Sequence, residues 1–339
     1  MVYFQADGNP QIGSGHIMRC LSLADAFHER GTEAVFILAE PYMQPLIQER
    51  GYSCLVLDST YDRVEDELPV LLPLLEAKRP ACVILDHYFV TPEYMRAVQA
   101  KAPLVYIDDL NTFDYPADMV VNYNLYGETT DYPPNKTYLL GPRYAPLRKQ
   151  FQGLEPRAEK QSVEQVLIST GGTDSYHVAL RCAEYLLEHP PRSSMVYHLV
   201  LGAMNPDAGQ IERLAAKASY LAPHRGVSDM CALMLQCDAA VSAAGTTLYE
   251  LCACGLPTVT YVLADNQIKG AAAFEAAGLM PCAGDVRGDP SFPEHIFAKL
   301  EELSGREPRR ETARRMQALV DGNGAARLAN RLGDLLGGL

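Results

Sequence analysis

Val2-Tyr3-Phe4-Gln5-Ala6-Asp7, then Ile12-Gly13-Ser14-Gly15-His16, then Ile17-Met18-Arg19-Cys20-Leu21: an apolar run, a glycine-rich loop and the start of a helical stripe follow one another at the N-terminus. Apolar residues continue at 17, 21, 24 and 27, the spacing of one helix face. Strand, glycine loop and helix in that order form the opening unit of an α/β protein with a parallel sheet. The same rhythm recurs outward from it. Buried-strand patterns are read at 33–39, 82–86, 104–108 and 119–122, and each runs into a polar residue. Strands whose C-terminal ends open on a crevice have that form.

Residues 145–163 break the rhythm with two prolines and several Lys and Arg. It then restarts. Strands are expected at 166–169, 198–201, 239–242 and 258–262, and helices at 177–188, 207–218, 229–237 and 247–254. A chain of 339 residues exceeds one ordinary core. The expected organisation is therefore an N-terminal Rossmann-like domain over 1–145 and a linker over 146–163. A second Rossmann-like domain covers 164–310, and a helical segment over 311–339 packs across the domains or caps the second. The fold class is α/β, with the two parallel sheets facing across a cleft that holds the site.

Hydrophobic residues make up 48% and charged residues 21%, a globular composition. The net charge of −13 argues against a nucleic-acid partner, since phosphate backbones call for a basic surface. Nine Cys without a Cys-x-x-Cys pair point to reduced core thiols rather than a disulfide framework. Neither a secretory leader nor an apolar run of membrane-spanning length is visible, so a cytoplasmic protein with no membrane partner is expected. A monomer is expected as well.

Five constellations carry chemistry. Gly13-Ser14-Gly15 lets a loop bring its backbone close to a ligand, and His16 falls in the first helical turn. There the helix dipole disfavours imidazolium, which leaves a neutral ring able to accept a proton. A helix-capping loop with an incidental His is the alternative. Ser169-Thr170-Gly171-Gly172-Thr173-Asp174 and Ser242-Ala243-Ala244-Gly245-Thr246-Thr247-Leu248-Tyr249-Glu250 each join a strand to a helix and offer amides to a phosphate. In the first, Asp174 or Ser175 can equally be an N-cap; in the second, Thr247-x-x-Glu250 is formally a capping box. Glu250 can otherwise hold the two hydroxyls of a ribose. Ala264-Asp265-Asn266-Gln267 offers polar heads to a hydroxyl-rich ligand or an N-cap to a helix. Asp86-His87-Tyr88 closes another strand, where packing is the commoner role. Asp7, at the end of the first strand, is the expected partner that orients His16. Metal-ligand, nucleophile-elbow and nicotinamide motifs are missing, so no metal or cofactor is expected.

Taken in order, Gly13-x-Gly15-His16-x-x-Arg19-Cys20, Asp86-His87-Tyr88, Leu140-Gly141-Pro142-Arg143-Tyr144, Gly171-Gly172-x-Asp174, Ala244-Gly245-x-Thr247-x-x-Glu250 and Ala264-Asp265-Asn266-Gln267 form a set. The set resembles the UDP-sugar hydrolases of pseudaminic acid biosynthesis (PseG) and the related SpsG-like spore-coat polysaccharide proteins. It runs from about residue 5 to about 280. The resemblance implies a GT-B type fold and hydrolysis of a UDP-linked diacetamido-trideoxyhexose. It implies His16 as catalytic base and Tyr88 and Asn266 as sugar-site residues; Asp7, Gly13, Gly15, Arg19 and Gln267 are expected beside them on the substrate side. UDP falls to Gly171, Gly172, Thr173, Gly245, Thr246, Thr247 and Glu250. Departures at Phe89-Val90-Thr91-Pro92 and Asn122-Tyr123-Asn124-Leu125, and the absence of Trp, bear on the sugar rather than on the reaction.

UDP leaves without a proton, so one base suffices where ordinary glycosidases use two carboxylates. Helix N-termini after Gly171-Gly172 and Gly245-Thr246 are expected to meet its charge. Water attack at the anomeric carbon then gives inversion. The alternatives are an inverting GT-B glycosyltransferase, in which the same His deprotonates an acceptor hydroxyl, and a non-catalytic nucleotide-sugar-binding partner. A sugar epimerase is a third option, for which the further acid–base residues are missing.

Overall fold

A computed structural model describes residues 1–191 and 194–335. The chain forms two compact units, Met1–Arg148 with Asn323–Leu339, and Lys149–Gly322.

The first unit holds strands β1 (Val2–Ala6), β2 (Ala34–Leu38), β3 (Ser53–Val56), β4 (Cys82–Asp86), β5 (Leu104–Ile107), β6 (Met119–Asn122) and β7 (Thr137–Leu140). Helices α1 (Gly15–His28), α2 (Gln44–Glu49), α3 (Leu68–Lys78) and α4 (Pro92–Gln99) connect them. The second unit holds β8 (Gln165–Ser169), β9 (Val196–Leu201), β10 (Leu221–Arg225), β11 (Ala239–Ala243), β12 (Thr258–Val262) and β13 (Cys282–Asp285). Its helices are α5 (Val178–Glu188), α6 (Ala208–Ala215), α7 (Met230–Gln236), α8 (Thr247–Ala253), α9 (Asp265–Ala276), α10 (Phe292–Glu302) and α11 (Arg306–Leu319). A last helix, α12 (Gly324–Leu335), returns to the first unit.

Both sheets are parallel, in the orders β3-β2-β1-β4-β5-β6-β7 and β10-β9-β8-β11-β12-β13. Each order reverses direction at its first strand, between β1 and β4 and between β8 and β11. Ligands of doubly wound sheets sit outside the carboxyl ends of the strands at that point. The central strands β1, β4, β5 and β6 are buried throughout, which explains their unbroken apolar runs. Ile17, Cys20, Leu21, Ala24 and Phe27 bury one face of α1, and Phe27 meets Phe4 of β1 edge to face with centroids 6.2 Å apart. Pro92 opens α4 behind Thr91, whose hydroxyl accepts the Tyr94 amide at 3.2 Å, a side-chain N-cap.

The chain passes between the units twice, which corrects the expected division. Phe151 is fully buried, so the expected linker is not free chain, and the boundary falls after Arg148. The expected helical segment over 311–339 is split. α11 packs on α8 in the second unit, whereas α12 packs on α1 and on the turn at 142–144 in the first. The cause is amphipathicity: Ala325, Leu328, Ala329 and Leu332 form an apolar stripe, and all four are buried. The expectation's last residues, 336–339, lie outside the described ones.

Candidate active site

β1 and β4 lie side by side, with Ala6 opposite Asp86. After β1 the chain makes a small closed loop. Asn9 and Gly13 exchange backbone hydrogen bonds, and the Asn9 carboxamide accepts the amides of Gln11 and Ile12 at 2.9 and 3.0 Å. Gly13 takes φ +74°, a left-handed conformation that a β-carbon would strain. The loop thereby delivers Gly15 and His16 to the start of α1, beside the end of β4.

His16 is buried, and its Nδ1 lies 2.6 Å from Oδ1 of Asp86, which is fully buried. Arg19, one turn further along α1, donates from Nε to the other oxygen of Asp86 at 2.5 Å. Nη2 donates to Oδ1 of Asp86 as well, and the two Nη groups also reach Asp109 at 3.2 and 2.9 Å and the Tyr123 hydroxyl at 2.6 Å. Tyr88 donates its hydroxyl to Asp109 at 2.8 Å, and its ring stands 4.4 Å from the His16 ring at 77°. Burial alone would push the Asp86 carboxyl up; the Arg19 guanidinium and His16 outweigh it and hold the group well below the usual carboxylate range. Asp109 is lowered in the same way, burial opposing and Arg19 prevailing. Asp86 is therefore a carboxylate at every physiological pH. The short contact assigns the Nδ1 proton to it, although Arg19 Nη2 is also 3.2 Å from that nitrogen. Nε2 is then the atom with a lone pair for a proton.

His16 is thus oriented by Asp86, which corrects the expectation of Asp7. The Asp7 carboxylate instead accepts the Ala39 amide at 2.9 Å, tying β1 to the end of β2. Arg19, expected on the substrate side, spends its donors on Asp86, Asp109 and Tyr123. Spacing along α1 foreshadowed the contact of residues 16 and 19, but only the sheet order brings Asp86 to them. Asp109 and Tyr123 were missed. The signal for Asp109 was a strand pattern ending in acid at 104–108, and Tyr123 stood in the departing stretch Asn122-Tyr123-Asn124-Leu125 without a role assigned to it.

Directly after Asp86, His87 accepts the Phe89 amide on Nδ1 at 3.1 Å, so its proton sits on Nε2, 3.6 Å from Asp7 Oδ2. Burial, with His16 adding to it, pushes His87 down to about 4. Burial also raises Asp7 to about 6 and Glu67 to about 7. For Asp7 the sign is unfavourable to folding at neutral pH. A buried acid whose folded pKa exceeds its unfolded value of 3.8 costs nothing while protonated and its full penalty once ionised. Asp7→Asn is expected to gain on the wild type as pH rises from 4 to 7.5, by on the order of 3 kcal/mol at the upper end. Urea unfolding at both pH values checks this; a pH-independent difference would refute it.

In the second unit the expected loops lie at the carboxyl ends of neighbouring strands: 170–174 after β8, 244–246 after β11 and 263–264 after β12. Asp174 is buried, and its carboxylate accepts the Val178 and Ala179 amides at 2.8 and 3.0 Å and the Asn205 carboxamide at 3.2 Å. The N-terminus of α5 is therefore closed by the chain's own carboxylate. This corrects its expected use as an anion site and leaves the backbone of Gly171, Gly172 and Thr173. Gly202, at the end of β9, backs that loop: a β-carbon there would lie 2.4 Å from the Gly172 carbonyl oxygen. Sequence reading missed Gly202, since nothing in a lone strand-end glycine names its neighbour.

After β11, Thr246 is the N-cap of α8 and its side chain makes no capping hydrogen bond; Thr247 is the first helical residue rather than the cap, so Thr247-x-x-Glu250 is not in the capping-box register. Gln267 accepts the Leu263 amide at 3.0 Å, and its Nε2 lies beside Gly245. Asn266 is exposed in the first turn of α9. The structure thus groups Gly13, Gly15, His16, Arg19 and Tyr88 in one unit. It groups the 171–173, 245–247 and 266–267 positions along one sheet edge of the other. Among the described residues, no three His, Cys, Asp or Glu are arranged to hold a metal, and no helix is long and apolar enough to cross a membrane.

MurG of Acinetobacter baumannii superposes with a TM-score of 0.72 at 14% identity, over 98% of this chain and 99% of that one. The rhamnosyltransferase SpnG in complex with thymidine diphosphate gives 0.69 at 14%, over 97% and 99%. The fold is of the GT-B type. In sequence, the spore coat polysaccharide biosynthesis protein SpsG of Bacillus subtilis is 23% identical over 97% of both chains. The UDP-2,4-diacetamido-2,4,6-trideoxy-beta-L-altropyranose hydrolase of Campylobacter jejuni is 24% identical over 63% of this chain and 74% of its own. The chain is a distant relative of both. An uncharacterized protein of Methanocaldococcus jannaschii is 24% identical over 78% of this chain, which spans 55% of that relative's length. No family model matches. The expected resemblance and GT-B fold are borne out.

Proposed function

We propose that this GT-B protein is a nucleotide-sugar enzyme of polysaccharide biosynthesis that hydrolyses a UDP-linked, acetamido-substituted deoxy sugar. The observation that carries it is the Asp86–His16 pair at the carboxyl ends of β1 and β4, with Nε2 left as the proton acceptor. Asp86 fixes the tautomer and orientation of the ring. His16 takes a proton from water as the oxygen attacks the anomeric carbon, the C1–O bond breaks, and UDP departs with that electron pair. One base with no paired acid fits a leaving group that needs no proton. Opposite-face attack inverts the configuration. Backbone amides at Gly171–Thr173 and Gly245–Thr247 meet the diphosphate charge, and Glu250 takes the ribose hydroxyls.

The test is UDP release from UDP-2,4-diacetamido-2,4,6-trideoxyhexose in ¹⁸O-water without acceptor, followed by NMR of the first-formed anomer. Label in the free sugar and an inverted anomer are expected. Label in UDP would refute the mechanism, and release only with an added acceptor hydroxyl would make the protein a transferase using the same base.

The diphosphate role also predicts the effect of Gly202→Ala. The new methyl must displace the Gly171-Gly172 backbone, an overpacking worth about 1–3 kcal/mol. UDP affinity is expected to fall by about tenfold with the His16 chemistry intact. Calorimetric UDP titration checks it, and unchanged affinity in a folded variant would remove the loop from the nucleotide site.

A further inference from the structure

Phe89 follows Tyr88 directly and is 44% exposed, although it lies three residues beyond a strand whose residues are buried throughout. Scattered exposed apolar side chains are ordinary. This ring, however, is held in place. Its backbone amide donates to His87, its ring meets Tyr61 nearly perpendicularly with centroids 5.5 Å apart, and its other neighbour is the buried His87 ring at 5.9 Å. On the C-terminal side Val90 is buried and Thr91 caps α4. Folding thus spends contacts to present an open aromatic face at the carboxyl end of β4, one residue from the tyrosine that packs on His16.

We propose that Phe89, braced by Tyr61, is a specificity-determining platform that receives the apolar face of the substrate's sugar ring. The proposal rests on the reading of this chain as a nucleotide-sugar enzyme. The chemistry is that of area. A fully hydroxylated hexose offers an aromatic ring only a few axial C–H groups, whereas each hydroxyl replaced by hydrogen, and a methyl in place of hydroxymethyl, adds apolar surface that gains from leaving water. An aromatic face at this place therefore favours 6-deoxy over 6-hydroxyl donors. Pinning of the ring before binding keeps the ordering cost low.

Calorimetry on the full chain with three probes tests it: UDP, UDP-N-acetylglucosamine and UDP-2,4-diacetamido-2,4,6-trideoxyhexose. Phe89→Ala is expected to weaken the deoxy sugar nucleotide about five- to tenfold, UDP-N-acetylglucosamine less, and UDP not at all. In turnover, KM should rise by the same factor with kcat within twofold. Phe89→Tyr should restore binding. Phe89→Leu, which keeps bulk without the ring, should fall between, and it serves if the alanine variant proves unstable. Equal affinities in wild type and variants, or an equal loss for UDP itself, would overturn the platform. Wild-type protein that binds UDP sugars while Phe89 variants bind them equally sinks the platform alone. Wild-type protein that binds none of the three sinks the functional reading and the platform with it.

Discussion

His16→Ala is expected to lower kcat by about 10³-fold while UDP binding stays within twofold. General-base catalysis by a positioned side chain is worth about 10²–10⁴. His16 is well prepared for that role, because its orienting carboxylate is already 2.6 Å from Nδ1 and itself fully buried. The nucleotide loops belong to the other compact unit, so removal of the ring should leave them intact. Steady-state UDP release, with UDP titration as control, decides the matter. A variant retaining more than a tenth of the wild-type rate would strip His16 of its role.

Asp86→Asn is expected to damage both activity and stability. The carboxamide no longer distinguishes the two tautomers of His16, and kcat should fall by about 10²-fold or more. Arg19 is buried and loses one of its two carboxylate partners, while Asp109 remains. Breaking a buried pair from one side costs about 3–5 kcal/mol; with Asp109 retained, about 3 is expected. Because the folded Asp86 carboxyl is depressed, its contribution is complete above the ordinary carboxylate value and disappears only in strong acid. Urea unfolding at pH 7.5 reads the loss. Asp86→Asn with Arg19→Gln is expected to recover neither stability nor activity, since Asp109 then keeps a buried carboxylate without its guanidinium and the orienting carboxylate is not restored. Recovery of activity in that double variant would show that Asp86 serves only to neutralise Arg19.

The strands read from the sequence are the interior ones: β1, β2, β4, β5, β6, β8, β9, β11 and β12, most of them buried on both faces. The four missed, β3, β7, β10 and β13, are the four sheet edges. Their side chains are mostly half-buried or exposed, so no continuous buried apolar run marks them. Boundaries moved for local reasons as well. α1 begins at Gly15 rather than 17 because the Asn9–Gly13 closure turns the chain into the helix early. The return of α12 to α1 was beyond reach, since an amphipathic stripe says that a partner exists and not which one.

At the site, residue types and spacing pointed to His16 because a glycine loop ending a first strand leaves few other places for chemistry. They placed Arg19 on the substrate side, Asp7 behind His16, and an anion at α5. Tertiary structure decided otherwise in each case. A parallel sheet of order 3-2-1-4 sets residue 86 beside residue 6, and the pleat aims Asp86 toward α1 while Asp7 turns to the end of β2. Asp174, in a left-handed turn at φ +52°, folds its carboxylate back onto the helix it precedes. By itself the sequence determined that this chain builds two parallel α/β sheets with glycine loops at their strand ends, because burial on two faces and the conformational freedom of glycine are local demands. Which charges meet across those loops was decided only by strand order, because a hydrogen bond between residues 16 and 86 has no counterpart in any local pattern.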